Sequence, residues 1–466
     1  MLYDKSIDIE QEFYFLKDVS KPVKNNIIKI AEAKLQNPSE TIHGLSTTKH
    51  VAKAFYNALN KEDLSVETLV KSACKCTSLK IIQHNKPVLL IQDTVSFNYH
   101  TQKKKKDNGL MSALAKGVNL HSCLAATTDG VAFGILDQSY ISRTEDKNDS
   151  LTEEEKKARD IEDKESNRWL ESFRNSHKHL SKDIKTITVC DREGDFFEFM
   201  NEIASKNRIF LIRCAQNRRT MENERILDAI RAHKCRGEIS LRIPRDSRKN
   251  IPERDVVFEL KYKQFSIKRP TIRAKNKNLP ISLTVWVVHI LEKDPLNPEE
   301  PIEWFLMTND QITSLEDALT QIKYYLQRPK IEQFHLTLKS AGCESERIQS
   351  RTMEVTKKLI TIYSIISVFL MNMLYLSRVN PDLACDVFFN EIEWKLLYCI
   401  ANKTNITPEK TYSIKEAIFY LSCLGGPKRS KNAGQPGIKV IWKGLKKLYD
   451  VYENRYFSHA VMNNYL

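Results

Sequence analysis

Two aspartates sit where a β-strand pattern gives out. Asp93 follows the apolar run Val88-Leu89-Leu90-Ile91 and Gln92, and Asp191 follows Ile187-Thr188-Val189-Cys190. A carboxylate at the end of a buried strand is held rigidly at the edge of a sheet, where a neighbouring strand can bring a second one close. Two such groups repel one another when ionised, and a divalent cation relieves that repulsion. Strand-end aspartates are also common turn formers, and either residue taken alone favours that role.

A third group of side chains shifts the balance. Tyr325, Arg328, Glu332 and Lys339 are spaced by three, four and seven residues, which at about 100° per residue puts all four on one stripe of a helix. A carboxylate, two cations and a phenol on one face suit a phosphodiester, with Glu332 binding metal and Arg328 and Lys339 gripping phosphate oxygens. A surface ion-pair stripe, Arg328 with Glu332 at i,i+4, has the same spacing, and spacing alone leaves both open. Pro329 fits best as the first residue of a helix, where its missing N–H costs nothing. The sequence therefore predicts a break in the helical ladder between Tyr325 and Pro329, with Glu332 in the first turn of a helix that continues to Lys339. That position, near a positive helix end, favours the ionised form of Glu332.

The elements that must position these groups change character along the chain. The first seventy residues read as helical, with one apolar-periodic run over Ile27–Leu35, a second after Ser46-Thr47-Thr48 and a third from Ser65. Their lysines (Lys21, Lys24, Lys29, Lys49, Lys53) fit a DNA-reading module, and the helices fit a cap on the next domain equally well. Strands follow from Pro87, with a hairpin signal at Thr128-Asp129-Gly130 between two apolar runs. The charged stretch Glu145–Arg168 reads as a solvated loop and helix without chemistry. Ile184–Cys190 and Ile209–Ile212 are strands, the second ending at Arg213. A β-rich region from Gly237 to Thr308 includes Ile281–Leu291 and Trp304–Met307, and helical patterns run from Ser314 onward. Lys103-Lys104-Lys105-Lys106 reads as a mobile turn able to touch phosphate. Lys428, Arg429 and Lys431 lie in a loop that suits either phosphate binding or a solvated linker.

Composition narrows the partners. A chain of 466 residues exceeds the usual size of a single core, so two or three domains are expected. Hydrophobic residues at 41% and charged residues at 28% exclude a disordered chain. A formal net charge of +14 suits a polyanion without separating nucleic acid from an anionic membrane. Leu359–Leu376 carries no formal charge over 18 residues, close to the length of a membrane span. Thr361, Ser364, Ser367, Asn372 and Tyr375 form a weakly polar stripe on it, which a buried core helix needs and a lipid-facing one does not. The ten cysteines form no CxxC pair and read as reduced thiols. The acidic start, with Asp4, Asp8, Glu10 and Glu12, lacks the pattern of a signal peptide, so a cytoplasmic protein with no membrane partner is expected.

Several segments taken together are specific. Tyr325, Arg328, Glu332 and Lys339 resemble the Y-x2-R-x3-E-x6-K signature of the insertion-sequence-four family of bacterial DDE transposases. Ile91-Gln92-Asp93-Thr94 and Val189-Cys190-Asp191-Arg192-Glu193 with Asp195 are similar to the blocks around that family's two catalytic aspartates. Asp163-Lys164-Glu165-Ser166 with Trp169-Leu170, Ile331-Glu332 with Phe334-His335, and the tract Trp394–Trp442 extend the likeness in the same order over nearly the whole chain. The resemblance implies an α/β fold: an RNase H-like catalytic core, a mixed sheet flanked by helices, with a β-rich insertion and helical N- and C-terminal domains. The implied layout is a DNA-binding domain over 1–72, a core over 73–375 with an insertion at about 216–308, and a dimerisation domain over 376–466. Asp93, Asp191 and Glu332 would be the catalytic triad, binding two Mg²⁺ ions, for which Mn²⁺ would substitute. Tyr325, Arg328 and Lys339 would position the phosphates of the transposon end, Arg213 would contact DNA, and Trp304 would receive a flipped base. A strand-core role fits Trp304 equally well. The chemistry implied is nicking at the ends of the element, hairpin formation and opening, and attack of the freed 3′-OH on target DNA. The partners implied are double-stranded DNA, both inverted-repeat ends and target, and a second copy of the chain.

Overall fold

The computed structural model describes residues 9–46, 48–112, 115–141, 152, 159–243, 245, 250–273, 278–426 and 436–463. The loop with Lys428, Arg429 and Lys431, the acidic start at Asp4 and Asp8, and most of the charged stretch after Glu145 lie outside them.

Among the described residues ten strands form one sheet: β1 (Val88–Asn98), β2 (Leu110–Ser112), β3 (Ala115–Thr127), β4 (Ala132–Ile141), β5 (Thr186–Cys190), β6 (Ile209–Arg213), β7 (Gly237–Ile243), β8 (Arg254–Lys268), β9 (Ser282–Glu292) and β10 (Glu303–Thr308). Their order is β2-β3-β1-β5-β6-β10-β9-β8-β7, with β4 also paired to β3. β3 is antiparallel to both of its neighbours β1 and β4, whereas β1, β5 and β6 run parallel. This is the expected RNase H-like mixed sheet. All five residues of β5 are buried, as suits a strand covered on both faces. The β-rich segment extends this sheet instead of forming another layer, because Leu306 of β10 pairs with Arg213 of β6. Gly130, at φ +92°, closes the β3–β4 hairpin in a conformation few side chains adopt.

Helices cover the sheet. α1 (Lys21–Gln36), α2 (Lys49–Leu59) and α3 (Val66–His84) precede it. The hydroxyls of Thr48 and Ser65 cap α2 and α3 by accepting from Val51 N and Thr68 N. α4 (Asn167–His177), α5 (Phe197–Ser205) and α6 (Ile226–Arg231) lie between strands. After β10 come α7 (Leu315–Tyr325), α8 (Pro329–Leu336), α9 (Met353–Val379), α10 (Glu391–Asn402), α11 (Ile414–Gly425) and α12 (Ile438–Asn463). Ser314 and Asp317 form a capping box at the start of α7.

α9 is long and apolar enough to cross a membrane, but 94% of its most apolar stretch is buried within the protein. Its polar stripe has partners on β4 and the hairpin. Asn372 accepts from Ala132 N at 3.0 Å and donates to Ala132 O at 2.8 Å. Ser364 accepts from Gln138 at 2.9 Å, Thr361 and Tyr140 share a hydroxyl hydrogen bond of 2.8 Å, and Tyr375 donates to Asp129 O. Through this stripe the charge-free stretch 359–376 of α9 hydrogen-bonds to the strand it lies along.

The amino-terminal helices pack onto the same core. Ile27 and Ile30 of α1 and Phe55 of α2 join one apolar cluster with Leu359 of α9 and Trp442 of α12. Lys34 is buried with its ammonium 4.4 Å from the Tyr363 ring centre, donating to Glu40 O at 2.6 Å. Lys21, Lys29, Lys49 and Lys53 face outward. The expected boundaries at 72–73 and 375–376 fall inside α3 and α9. All ten cysteines are free, and eight are buried. One expectation fails for a physical reason: Lys105 does not belong to a solvated turn. It is buried, donating to Thr356 Oγ1 at 2.7 Å and Ser350 Oγ at 3.0 Å, while Lys103, Lys104 and Lys106 stay exposed.

Candidate active site

Asp93 is not at the end of its strand. β1 continues to Asn98 because β3 keeps pairing with it as far as Asn98 opposite Gly117. The parallel partner stops earlier: Ile91 is level with Val189, and β5 ends at Cys190. Two residues further on, Asp93 and Asp191 face the notch where β5 gives out. A backbone amide holds each carboxylate, Thr94 N to Asp93 Oδ1 at 2.8 Å and Glu193 N to Asp191 Oδ1 at 2.9 Å.

The third carboxylate arrives on α8. α7 ends at Tyr325 and α8 begins at Pro329, with a turn between, and Glu332 lies in the first turn of α8. The junction and its proline are as the sequence predicts. The backbone at Arg328 keeps helical angles, φ −53° and ψ −38°, so Arg328 reaches Glu332 one turn on. Its guanidinium joins all three carboxylates. Nη2 lies 3.2 Å from Asp93 Oδ2 and 3.0 Å from Asp191 Oδ2, and Nη1 pairs with Glu332 Oε1. Burial pushes the Asp93 carboxyl up to about 6, with Arg328 opposing the rise and Asp191 and Glu193 adding to it.

The α-helix does not reach Lys339. Thr337–Ala341 is a π-helical turn, which rotates the side chains that follow Leu336. Lys339 therefore leaves the expected stripe and donates to Ser96 O on β1 at 2.9 Å, pairing with Glu346 at 3.3 Å. Tyr325 is buried beside Trp304, ring centres 5.8 Å apart and edge-on, and burial pushes its phenol up to about 12. The Arg213 guanidinium stands 5.8 Å from the Trp304 ring centre. Trp304 is half-buried at the start of β10 rather than enclosed in the strand core. Arg213, Trp304 and Tyr325 thus form one cation–aromatic cluster beside the carboxylates.

Other residues of the site escape a reading by spacing. His335 Nδ1 lies 3.9 Å from Asp93 Oδ2, yet burial, reinforced by Arg328 and Lys339, pushes its imidazole down to about 3, so it is neutral. Asp195 is fully buried: Oδ2 accepts from Ala215 N and Gln216 N, and Oδ1 pairs with Arg218 at 2.6 Å. This pair ties the loop after Asp191 to the chain leaving Arg213. Arg168, in the stretch read as having no chemistry, touches the segments of both aspartates. The neighbouring Glu165-Ser166 and Trp169-Leu170 were the available signal.

Among the described residues no three His, Cys, Asp or Glu side chains are gathered closely enough to hold one metal ion, because the three carboxylates meet at Arg328. Their hard oxygen donors nonetheless fit Mg²⁺ or Mn²⁺. A carboxylate set already focused on one cation suits exchange for another.

Fold and site define a class: an RNase H-like α/β protein with three carboxylates converging at the edge of its sheet. Residues 365–462 match the family described as the Transposase Tn5 dimerisation domain, which supports a transposase. The match begins within α9 and takes in α10, α11 and α12. Among solved structures the chain is similar to a piggyBac transposase in a synaptic complex with hairpin DNA, at 9% identity and a TM-score of 0.33. That alignment covers 88% of this chain and 72% of the other, and a likeness so slight carries no argument.

Proposed function

We propose that this protein is a DDE transposase of the insertion-sequence-four type, cutting its element out of DNA by nicking, hairpin formation and hairpin opening, then joining the 3′-OH to target DNA. The observation that carries the reading is the convergence of Asp93, Asp191 and Glu332, from three separate segments, on a single cationic focus beside the Arg213–Trp304–Tyr325 cluster. A mere surface ion pair needs Arg328 and Glu332 only and leaves the two aspartates unexplained.

In this mechanism Asp93, Asp191 and Glu332 would hold Mg²⁺, which would supply Lewis acidity to the attacking water or 3′-hydroxyl oxygen and to the oxygen that leaves phosphorus. Arg328 leaves the carboxylates for a DNA phosphate, exchanging one anionic partner for another, and its planar fork suits either. Arg213 and Lys339 approach the same backbone from opposite sides of the notch. Trp304 offers a half-exposed ring on which a displaced base stacks next to the scissile phosphate. His335, neutral and buried, keeps water from one side of Asp93. The outward lysines of residues 1–72 bind the transposon end, residues 376–466 hold two copies together, and the protein works in the cytoplasm on the nucleoid.

The test uses linear DNA carrying the inverted repeats that flank the gene, incubated with the full chain and Mg²⁺. Nicked, hairpin and 3′-joined products are expected in that order. Precut ends that are cleaved further but never joined would make the protein a nuclease, and binding without cleavage would make it a repressor.

A further inference from the structure

Arg168 sits second in α4, next to the fully buried Trp169, and its guanidinium lies between the two aspartate segments. Nε donates to Thr94 Oγ1 at 3.0 Å and Nη2 to Glu193 Oε2 at 2.6 Å, while Nη1 donates to Glu165 O at 2.9 Å. Thr94 and Glu193 are the two residues whose backbone amides hold Asp93 and Asp191. One planar group thus spans both carboxylate supports: Asp93 to Thr94, Thr94 to Arg168, Arg168 to Glu193, Glu193 to Asp191.

A chain of hydrogen bonds stands behind this brace. Thr94 Oγ1 is also 2.9 Å from His121 Nδ1, and His121 Nε2 is 3.2 Å from Gln92 Oε1. Gln92 Oε1 can only accept, so Nε2 donates to it and the Thr94 hydroxyl donates to Nδ1. The Thr94 oxygen then accepts from Arg168, and neither interaction competes with the other. His121, on β3, is fully buried, and the Trp169 ring stands edge-on to it with centres 4.8 Å apart, so α4 packs directly against the histidine that bonds Thr94 and Gln92 of β1.

We propose that Arg168 is a positioning residue that sets the separation and orientation of the Asp93 and Asp191 carboxylates for metal binding, without touching metal or DNA itself. The inference rests on reading those aspartates as metal ligands. Residues that orient ligands in this way govern metal affinity by about 10- to 100-fold. A surface ion pair with Glu193 does not explain the geometry, since Nε would then have no reason to meet a hydroxyl beside the other aspartate.

The test is Mn²⁺ titration of the full chain by calorimetry, without DNA, alongside thermal melting. Arg168→Lys keeps the charge but cannot span both acceptors, so Arg168→Lys and Arg168→Gln should each weaken Mn²⁺ binding about tenfold or more, with the melting temperature unchanged. Thr94→Val, nearly isosteric, should weaken it in the same direction even where an arginine variant fails to fold. The losses in Arg168→Gln and Glu193→Gln should not multiply in the double variant, because both break one brace. Wild-type affinity in Arg168→Gln, or losses that multiply, would overturn the proposal. Asp93→Asn separates the two levels of the argument. Retained Mn²⁺ binding there sinks the metal reading itself, whereas its loss alongside intact binding in Arg168→Gln sinks only the brace.

Discussion

Arg328 donates through one nitrogen to Asp93 and Asp191 and through the other to Glu332. Three carboxylates of which two are partly buried would repel at this distance, and a guanidinium is the protein's own means of neutralising them. If metal and guanidinium serve the same focus, they compete. Arg328→Ala should therefore bind Mn²⁺ more tightly than wild type in the absence of DNA, yet nick DNA more slowly for want of a phosphate partner. Unchanged or weaker Mn²⁺ binding by calorimetry would show that the two cations do not compete. Trp304 permits a sharper kinetic distinction. Its half-exposed ring is available for stacking, so Trp304→Ala should lose about 1–3 kcal/mol of base stacking and slow hairpin formation more than the first nick. Equal slowing of both steps with a lower melting temperature would assign the ring to packing against Tyr325 instead.

Elements show what a sequence can and cannot reveal about this site. Asp93 and Asp191 are legible because each follows an apolar run, and Pro329 marks the α7–α8 junction because no other helix position suits it. The length of β1 is not legible. Residues 93–98 stay extended through pairing with β3, a long-range interaction that leaves no mark on local pattern. The π turn after Leu336, which carries Lys339 off the stripe, is equally invisible, since spacing arguments assume an unbroken α-helix. Arg168 is indistinguishable from its charged run in the sequence because its partners are 74 and 25 residues away. The amino-terminal helices offer a pH test of their attachment. Burial pushes Lys34 down from 10.5 to about 8, with Cys343, Glu344 and Glu40 opposing and Arg347 assisting. Between those two values the unfolded chain binds a proton that the folded chain has released, so stability rises as pH increases through the window. Urea midpoints should climb from pH 8 to pH 10 in wild type, and Lys34→Met should lose that part of the climb. An identical slope in both would show that Lys34 is not buried in solution.

On the scale of the whole molecule, the sheet and the carboxy-terminal helices share one apolar core, from Ile91 through Leu370 to Trp442 and Leu448. The carboxy-terminal helices are therefore not a detachable module. Truncation after residue 375, within α9, should uncover that largely buried helix and yield aggregated or dye-binding material, and a soluble, cooperatively melting fragment would contradict this. In the proposed function Asp93, Asp191 and Glu332 do the phosphodiester chemistry while other groups bind DNA. The most direct test is end cleavage in Mg²⁺ by Asp93→Asn, Asp191→Asn and Glu332→Gln, each measured together with binding of the same DNA. All three should abolish nicking and all three should retain end binding, because the grip on phosphate comes from basic residues. Near wild-type nicking by any of the three would contradict it.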